Sequence, residues 1–172
     1  MTPEQAEFAA ALYIQGLEVE YPVTCKVLAA VPEAKKSYRP DEHARTAAEL
    51  AAHLASADIW FLNGVAKGDF TPEDDKKFGT IAEIVRYYER EFPAAIAKIK
   101  ALPGEKLAQV LPFFGVFNLP AAAYLGFTTN HSVHHRAQLS TYLRPMGAKV
   151  PSIYGGSYDE PFQMPAPKTS AA

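Results

Sequence analysis

The chain has 172 residues, 48% of them hydrophobic, and a formal net charge of −2 at pH 7. This length supports one hydrophobic core, which predicts a single domain over residues 1–160 and a disordered tail over 161–172. Without a broad basic field the chain lacks the main electrostatic term for binding phosphate backbones, so we expect no nucleic-acid partner. The absence of a basic N-terminal region and of an apolar run near ~18 residues predicts no membrane span and a cytoplasmic location.

The first predicted helix begins at the capping residue Thr2, which is followed by a proline at the first helical position. It extends either to about Leu17 or to Ala30, because Pro22 removes a backbone donor and can kink or restart a helix. Residues 31–41 carry a proline near each end, and we predict a loop there.

Two further helices are predicted from capping boxes, in which a threonine and a glutamate three residues later satisfy the first turn. The first box starts at Thr46 and precedes residues that share one helical face: Leu50, His53, Leu54, Ala57 and Phe61. The second box starts at Thr80 and opens a helix toward Ala101, with Pro93 as a predicted kink or break.

The last third of the chain contains one open segment and one long helix. Residues 107–119 are apolar but interrupted by proline and glycine, so a short strand and an irregular crossing both remain open. The long helix is predicted to begin at Pro120 and to end before Gly147. Four helical segments with almost no alternating strand pattern predict an all-α bundle.

Three histidines lie within five residues of this last helix, and two of them, His131 and His135, are four residues apart on one face. Buried imidazoles need partners for both ring nitrogens, so a stacked pair facing a core favours either a metal ion or a hydrogen-bond network. His134 points about 100° away from His135, and we do not expect it to join the same ion.

His53 is the third candidate ligand, because it interrupts the apolar face of another helix and bundles build metal sites from facing helices. Three inward histidines match an open catalytic site with water in the remaining position. The alternative is that hydrogen bonds alone satisfy the three histidines and that no metal is bound. The spacing excludes two metal classes: Ser132 stands where a zincin has its glutamate, and no histidine has a glutamate three residues before it, as ferritin-like di-iron bundles require.

The stretch HSVHHRAQLSTYLRPMG from His131, followed by VPSIYGGSYDE, resembles the C-terminal signature of the DinB/YfiT-like superfamily, where an HHRGQL-type motif is usual. Ala137 replaces the usual glycine, and alanine is the better helix former. The segment SYRPDEHARTAAELAAHLASADIW resembles the second helix of that family and places His53 where its first metal ligand is expected.

This resemblance implies an up-down-down-up four-helix bundle, commonly a homodimer, with nickel or zinc on His53, His131 and His135. Some members of the superfamily are transferases or isomerases that use a low-molecular-weight thiol, and most have no assigned reaction. We therefore expect a metal-dependent enzyme for a small-molecule substrate, acting as a thiol-dependent transferase or isomerase or as a hydrolase. The alternative is a non-catalytic metal- or ligand-binding stress-response protein.

Neither the acid–base groups nor the dimer interface can be assigned from spacing. The candidates for acid or base are Glu18, Glu49, Asp58 and Tyr142. Trp60 lies off the main apolar strip of its helix, which predicts that Trp60 or its neighbours lie in or near a dimer interface. Trp60 can equally pack beneath the loop that follows Gly64.

Overall fold

The computed structural model describes residues 1–162, and most of them are helical. The helices are α1 (Pro3–Ala29), α2 (Ala47–Lys67), α3 (Ile81–Lys100), the short α4 (Gly104–Ala108) and α5 (Ala123–Leu143), and a 3-10 turn spans Glu33–Lys35. Strands β1 (Val110–Phe113) and β2 (Phe117–Pro120) pair antiparallel, with Phe113 opposite Phe117. The predicted disordered tail lies outside the described residues from residue 163 onward.

The four long helices enclose one apolar core. Helix α1 packs against α3 and α5, and α2 packs against the same two helices, while α4 packs against α1. Each long helix contributes buried aliphatic side chains, such as Leu17, Leu54, Ile84 and Leu125. Burial of one such side chain stabilises the fold by about 1.5–3 kcal/mol, so this core is the main source of stability. Within residues 1–162, no helix combines the length and apolar character needed to cross a membrane.

Both internal prolines lie inside uninterrupted helices, which selects the longer of the two predicted ends for the first helix. Helix α1 passes through Pro22 to Ala29, and α3 passes through Pro93 to Lys100. Each proline removes one backbone hydrogen bond, but buried side chains on both sides of it hold the helix against its neighbours.

The capping predictions are confirmed for α2 and are half correct for α3. Thr46 accepts a hydrogen bond from the Glu49 amide at 3.2 Å, and the Glu49 carboxylate accepts from the Thr46 amide at 2.7 Å. Thr80 caps α3 in the same way, but the Glu83 carboxylate accepts from the Gly79 amide, one residue before the cap.

The segment of residues 107–119 contains the end of α4 and nearly all of the β1–β2 hairpin, and the hairpin displaces the predicted start of the last helix. Pro120 ends β2, so the helix begins three residues later, at Ala123. The intervening amides of Ala121 and Ala122 donate to the carbonyls of Gln109 and Leu107, at 2.8 and 3.0 Å. These bonds hold the residues before α5 against the end of α4, and the helix starts after Pro120 because Pro120 itself pairs with Val110 in the hairpin.

Trp60 packs beneath the loop formed by residues 68–80, which is the second of its two predicted positions. Its indole N–H donates to the Thr71 carbonyl at 2.8 Å, and its ring centroid lies 4.9 Å from that of Phe61 and 5.4 Å from that of Phe70. The loop therefore runs back along α2, over the half of the helix that carries His53.

The contact between Gly64 and Phe70 anchors this loop and provides a test of the fold. A Cβ atom at Gly64 would overlap the Phe70 ring, whereas a Cβ at Gly16 of α1 meets no atom within 4 Å. We expect Gly64→Ala to destabilise the protein by about 1–3 kcal/mol because the buried ring must move. Gly16→Ala should stabilise it by about 0.5–1 kcal/mol because alanine favours the helix. Urea unfolding of both variants measures these changes, and equal midpoints would contradict the packing described here.

Candidate metal centre

Helices α2 and α5 bring together the three histidines that the sequence predicts as metal ligands. One ring nitrogen from each of His53, His131 and His135 lies within 4.8 Å of the other two. The Nε2 atoms of His53 and His131 are 3.2 Å apart. Because α2 packs directly against α5, one imidazole from the first half of α2 meets two from successive turns of α5.

Carboxylates bind the far sides of two of these rings. His131 Nδ1 lies 3.0 Å from Asp58 Oδ1, and His53 Nδ1 lies 2.9 Å from Asp75 Oδ2. A carboxylate oxygen accepts hydrogen bonds, so each Nδ1 carries the proton and each neutral ring presents its Nε2 lone pair. The two lone pairs then face each other across 3.2 Å, an arrangement that a cation between them would stabilise.

The third imidazole, that of His135, also has an oxygen acceptor at its Nδ1 atom. His135 Nδ1 lies 2.8 Å from the side-chain oxygen of Gln138, one turn further along α5. Its Nδ1–H donates to this oxygen, and its Nε2 lone pair is left free for the centre. The hydrogen bonds thus satisfy the three Nδ1 atoms, and the three Nε2 atoms together form a neutral nitrogen donor set.

Asp58 is a buried carboxylate that lies behind the ligand His131. Its side chain is fully buried, and its second oxygen accepts a hydrogen bond from the Tyr88 hydroxyl of α3 at 3.0 Å. Burial, together with the neighbouring Asp58 charge, raises the pKa of Tyr88 well above its ordinary value, so the phenol remains a donor. The chain Tyr88–Asp58–His131 thereby fixes one ring from behind.

Desolvation keeps the imidazoles in the form that binds metal. Burial lowers the pKa of His135 from 6.5 to about 4, and burial also lowers the pKa of His53, against the opposing effect of Asp75. Metal ions bind neutral imidazole, so both residues are ready to act as ligands at neutral pH.

The donor set fits a divalent transition metal. Two nitrogens bound to zinc at about 2.0–2.1 Å with tetrahedral geometry lie about 3.3 Å apart, close to the observed separation of 3.2 Å. Neutral imidazole suits zinc, nickel, copper and iron alike, so geometry and ligand type do not distinguish among these ions.

A cavity of about 750 Å³ adjoins the centre. His53 and His131 line one part of it, and the loop of residues 68–80, the rest of α2, one face of α3 and Phe114 of the hairpin turn line the remainder. A small molecule in this cavity can therefore reach two of the three imidazoles.

Of the four candidate acid–base residues, Asp58 contacts one of the three histidines. Glu49 caps α2, Glu18 pairs with Lys100 at 2.6 Å, and the Tyr142 ring packs edge-on against Tyr38. His134 is exposed and lies outside the three-histidine group, as expected from its direction on the helix.

Asp75 and Gln138 were missed by the sequence analysis. Gln138 follows His135 by three residues, so helical spacing offered a signal for it. Asp75 lies in a loop after two other acidic residues, and no periodic pattern distinguishes it from them.

Comparison with known proteins assigns the chain to a family. The sequence matches the profile of the DinB family over residues 8–167. This chain belongs to the DinB family. The match includes all three histidines and the long helices almost completely.

Two Bacillus subtilis proteins are similar to this chain in sequence. YjoA, named as uncharacterised, is 26% identical over 113 residues, which cover 64% of this chain and 73% of YjoA. YrdA, also named as uncharacterised, is 25% identical over 162 residues, which cover 91% of this chain and 95% of YrdA. Neither name assigns a reaction.

Two crystal structures of DinB-like proteins share the fold. The Bacillus subtilis YjoA structure has a TM-score of 0.66 at 23% identity, covering 83% of this chain and 96% of the other. A Bacillus cereus DinB-like structure has a TM-score of 0.71 at 23% identity, covering 83% and 95%. At this level of identity the likeness establishes the fold alone.

Single replacement of each of the three histidines by alanine should remove most of the bound metal, because each ring supplies one lone pair. His134→Ala is the matched control and should retain it, since that ring is exposed and lies outside the group. Metal content per chain, measured by plasma mass spectrometry on untagged protein, tests both statements. Near-stoichiometric metal in the three ligand variants would contradict this centre.

The lowered pKa of His135 predicts a pH dependence of stability in the metal-free protein. Between pH 6.5 and about 4 the unfolded chain binds more protons at this residue than the folded chain. Stability should therefore rise with pH through that window and fall as the pH is lowered through it. Urea midpoints at pH 7.5 and 5.0 should differ less in His135→Gln than in the wild type. An equal difference would show that burial of His135 has no such effect.

Proposed function

We propose that this DinB-family protein is a metal-dependent enzyme in which His53, His131 and His135 hold one divalent ion, zinc or nickel. The observation that carries the proposal is the approach of one ring nitrogen from each of the three histidines to within 4.8 Å of the others, while oxygen atoms lie 2.8–3.0 Å from the three Nδ1 atoms. A divalent ion there would lower the pKa of bound water toward about 7 or hold a thiol as its thiolate.

The surrounding residues would orient the ligands and limit access of water. Asp58 and Asp75 hold two imidazoles in the required tautomer and increase their donor strength, as carboxylates do behind metal-bound histidines. The Phe61 ring, whose centroid is 5.7 Å from that of His131, covers one side of the centre with an apolar surface.

The reaction class that we propose is thiol-dependent transfer or isomerisation, with hydrolysis as the other reaction that the same donor set supports. Among residues 1–162, the potential ligand group contains three histidines and no fourth side chain, which leaves a position for a water or a thiol. The adjoining cavity gives a small-molecule substrate access to that position. A purely structural, non-catalytic metal site would instead be closed by a fourth protein ligand.

We also propose that the single domain of residues 1–160 has the up-down-down-up topology. The Ala48 amide of α2 donates to the Lys36 carbonyl at 2.9 Å, and the Ile81 amide of α3 donates to the Glu33 carboxylate at 2.8 Å. Both helices thus begin beside the 3-10 turn at the end of α1, which supports parallel α2 and α3.

A cytoplasmic homodimer is the proposed assembly. The family likeness supports it, and three large apolar residues exposed along α1 add a surface for association: Phe8, Leu12 and Val19. Light scattering at micromolar concentration distinguishes a dimer from a monomer.

The proposed function is tested with untagged protein purified without added metal. We expect about one zinc or nickel ion per chain and a metal-dependent activity in a screen of thiol adducts and esters. Chelation should abolish that activity, and stoichiometric metal should restore it. Protein that neither contains nor binds zinc or nickel would overturn the proposal.

Asp58→Asn tests the role of the buried carboxylate behind His131. The amide is isosteric but uncharged, and we expect a 10–100-fold loss of metal affinity, the usual effect of removing such a partner. Asp69→Asn is the matched control, because Asp69 lines the same cavity but bonds to Thr71 instead of a histidine. Competition with a chromogenic chelator measures both affinities, and equal values would show that Asp58 has no part in holding the metal.

A further inference from the structure

The wall of the cavity beside the imidazoles is aromatic. Trp60, Phe61 and Phe114 line it together with His53 and His131. The rings of Trp60 and Phe114 are nearly parallel, with an interplanar angle of 11° and centroids 6.1 Å apart. Phe61 continues this surface to the imidazole of His131. A flat apolar group bound here would lie next to the position where the metal ligands converge.

Phe114 is held in this wall by an unusual backbone. Its φ angle is +49°, in the left-handed region that bulky residues rarely adopt, and its side chain is 51% exposed. The turn is closed by the Val116 amide, which donates to the Phe113 carbonyl at 2.9 Å. Gly115 also has a positive φ of +72°, so this backbone is that of a tight hairpin turn, and the turn projects the half-exposed Phe114 ring beside Trp60.

The charges that line the cavity are mainly negative. The carboxylates are Asp69, Glu73, Asp74, Asp75 and Glu91, and the cations are Lys67, Lys76 and Arg90. All three cations are already engaged: Arg90 donates to Glu91 at 2.7 Å, Lys67 lies 4.0 Å from Glu73, and Lys76 lies 5.8 Å from the centroid of the Tyr87 ring. In the metal-free protein, where carboxylates outnumber cations by five to three, an anionic ligand is disfavoured relative to a neutral or cationic one, and a divalent ion at the histidines would offset this excess.

We propose that this cavity takes a neutral or cationic substrate whose metal-binding atom is carried on an aromatic group. The proposal rests on the proposed metal-dependent function for the contact with the metal, whereas the aromatic recognition belongs to Trp60, Phe61 and Phe114. An aromatic ring stacks against this wall while its substituent reaches His53 and His131, and in the metal-free protein the excess of carboxylates disfavours acidic compounds.

Trp60 gives a direct readout, because it is the only tryptophan and therefore provides a single indole N–H signal in a ¹⁵N-correlation spectrum. Zinc-loaded and metal-free protein are titrated with phenylmethanethiol, ethanethiol and 4-(sulfanylmethyl)benzoate. We expect phenylmethanethiol to shift this signal saturably and to bind about tenfold more tightly than either of the other two compounds. Equal affinities for phenylmethanethiol and ethanethiol would overturn the aromatic preference, and tighter binding of the benzoate would overturn the charge preference.

Phe114→Gly removes one ring of the wall without forcing the protein to unfold, because glycine adopts a positive φ freely. The tenfold preference for phenylmethanethiol over ethanethiol should fall to about threefold or less in this variant. Phe162→Ala is the matched control, because Phe162 is 68% exposed, does not line the cavity and lies outside the proposed dimer surface. An unchanged preference in Phe114→Gly would overturn the role of this wall.

Absorption titrations of the cobalt-loaded protein with the same three thiols distinguish an error in this inference from an error in the proposed function. A thiolate-to-cobalt absorption band that appears with equal affinity for all three thiols would support the metal function and overturn the substrate preference. No band with any thiol, together with no zinc binding, would overturn the metal function. The metal-free titration then still decides the aromatic preference, since it monitors Trp60 alone.

Discussion

The buried carboxylate of Asp58 is the constraint on which the centre depends. A charge taken fully out of water must be compensated by hydrogen bonds, and Asp58 receives one from His131 of α5 and one from Tyr88 of α3. Three helices therefore have to pack in one register, because a shift of any of them would leave this carboxylate without a partner. The same hydrogen bond sets the tautomer of His131, so the requirement for stability and the orientation of the ligand are met by one interaction.

Helix α5 is polar on two sides, and each side has its own partners. One side carries the imidazoles, and the other carries Arg136, which is 1% exposed and bonds to Thr24 of α1 at 3.1 Å and to the Tyr154 hydroxyl at 2.6 Å. Glu20 of α1 forms an ion pair with the same guanidinium. Among the described residues every buried side-chain nitrogen and oxygen has a hydrogen-bond partner. A satisfied network of this kind favours one packing of α5 over alternatives, and it holds the segment after α5 against α1.

The centre and the cavity combine groups that would be costly in an ordinary core. Neutral imidazoles with converging lone pairs, an exposed aromatic ring on a backbone of positive φ and an excess of carboxylates all border the same space. The apolar packing of the four helices supports these features, because it supplies the stability that the site itself does not. The DinB-like structures share the helical fold with this chain, and the fold serves as a scaffold on which the local site is built.

The sequence by itself determined the helical class, the capped start of α2 at Thr46 and the pairing of His131 with His135, because these depend on local spacing, whereas His53 was a candidate from its place on an apolar helix face and from the family resemblance. A helix places residues four apart on one face, so His131 and His135 could be paired without knowledge of their surroundings. Tertiary structure alone decided the partners of these rings. Asp75 reaches His53 only because the loop after α2 folds back along that helix, and Tyr88 meets Asp58 only because α3 packs beside α2. The start of α5 was also misplaced, since Pro120 pairs in a hairpin with a residue ten positions earlier in the chain. Spacing along a helix is a local property, whereas contacts between elements depend on the packing of the whole core.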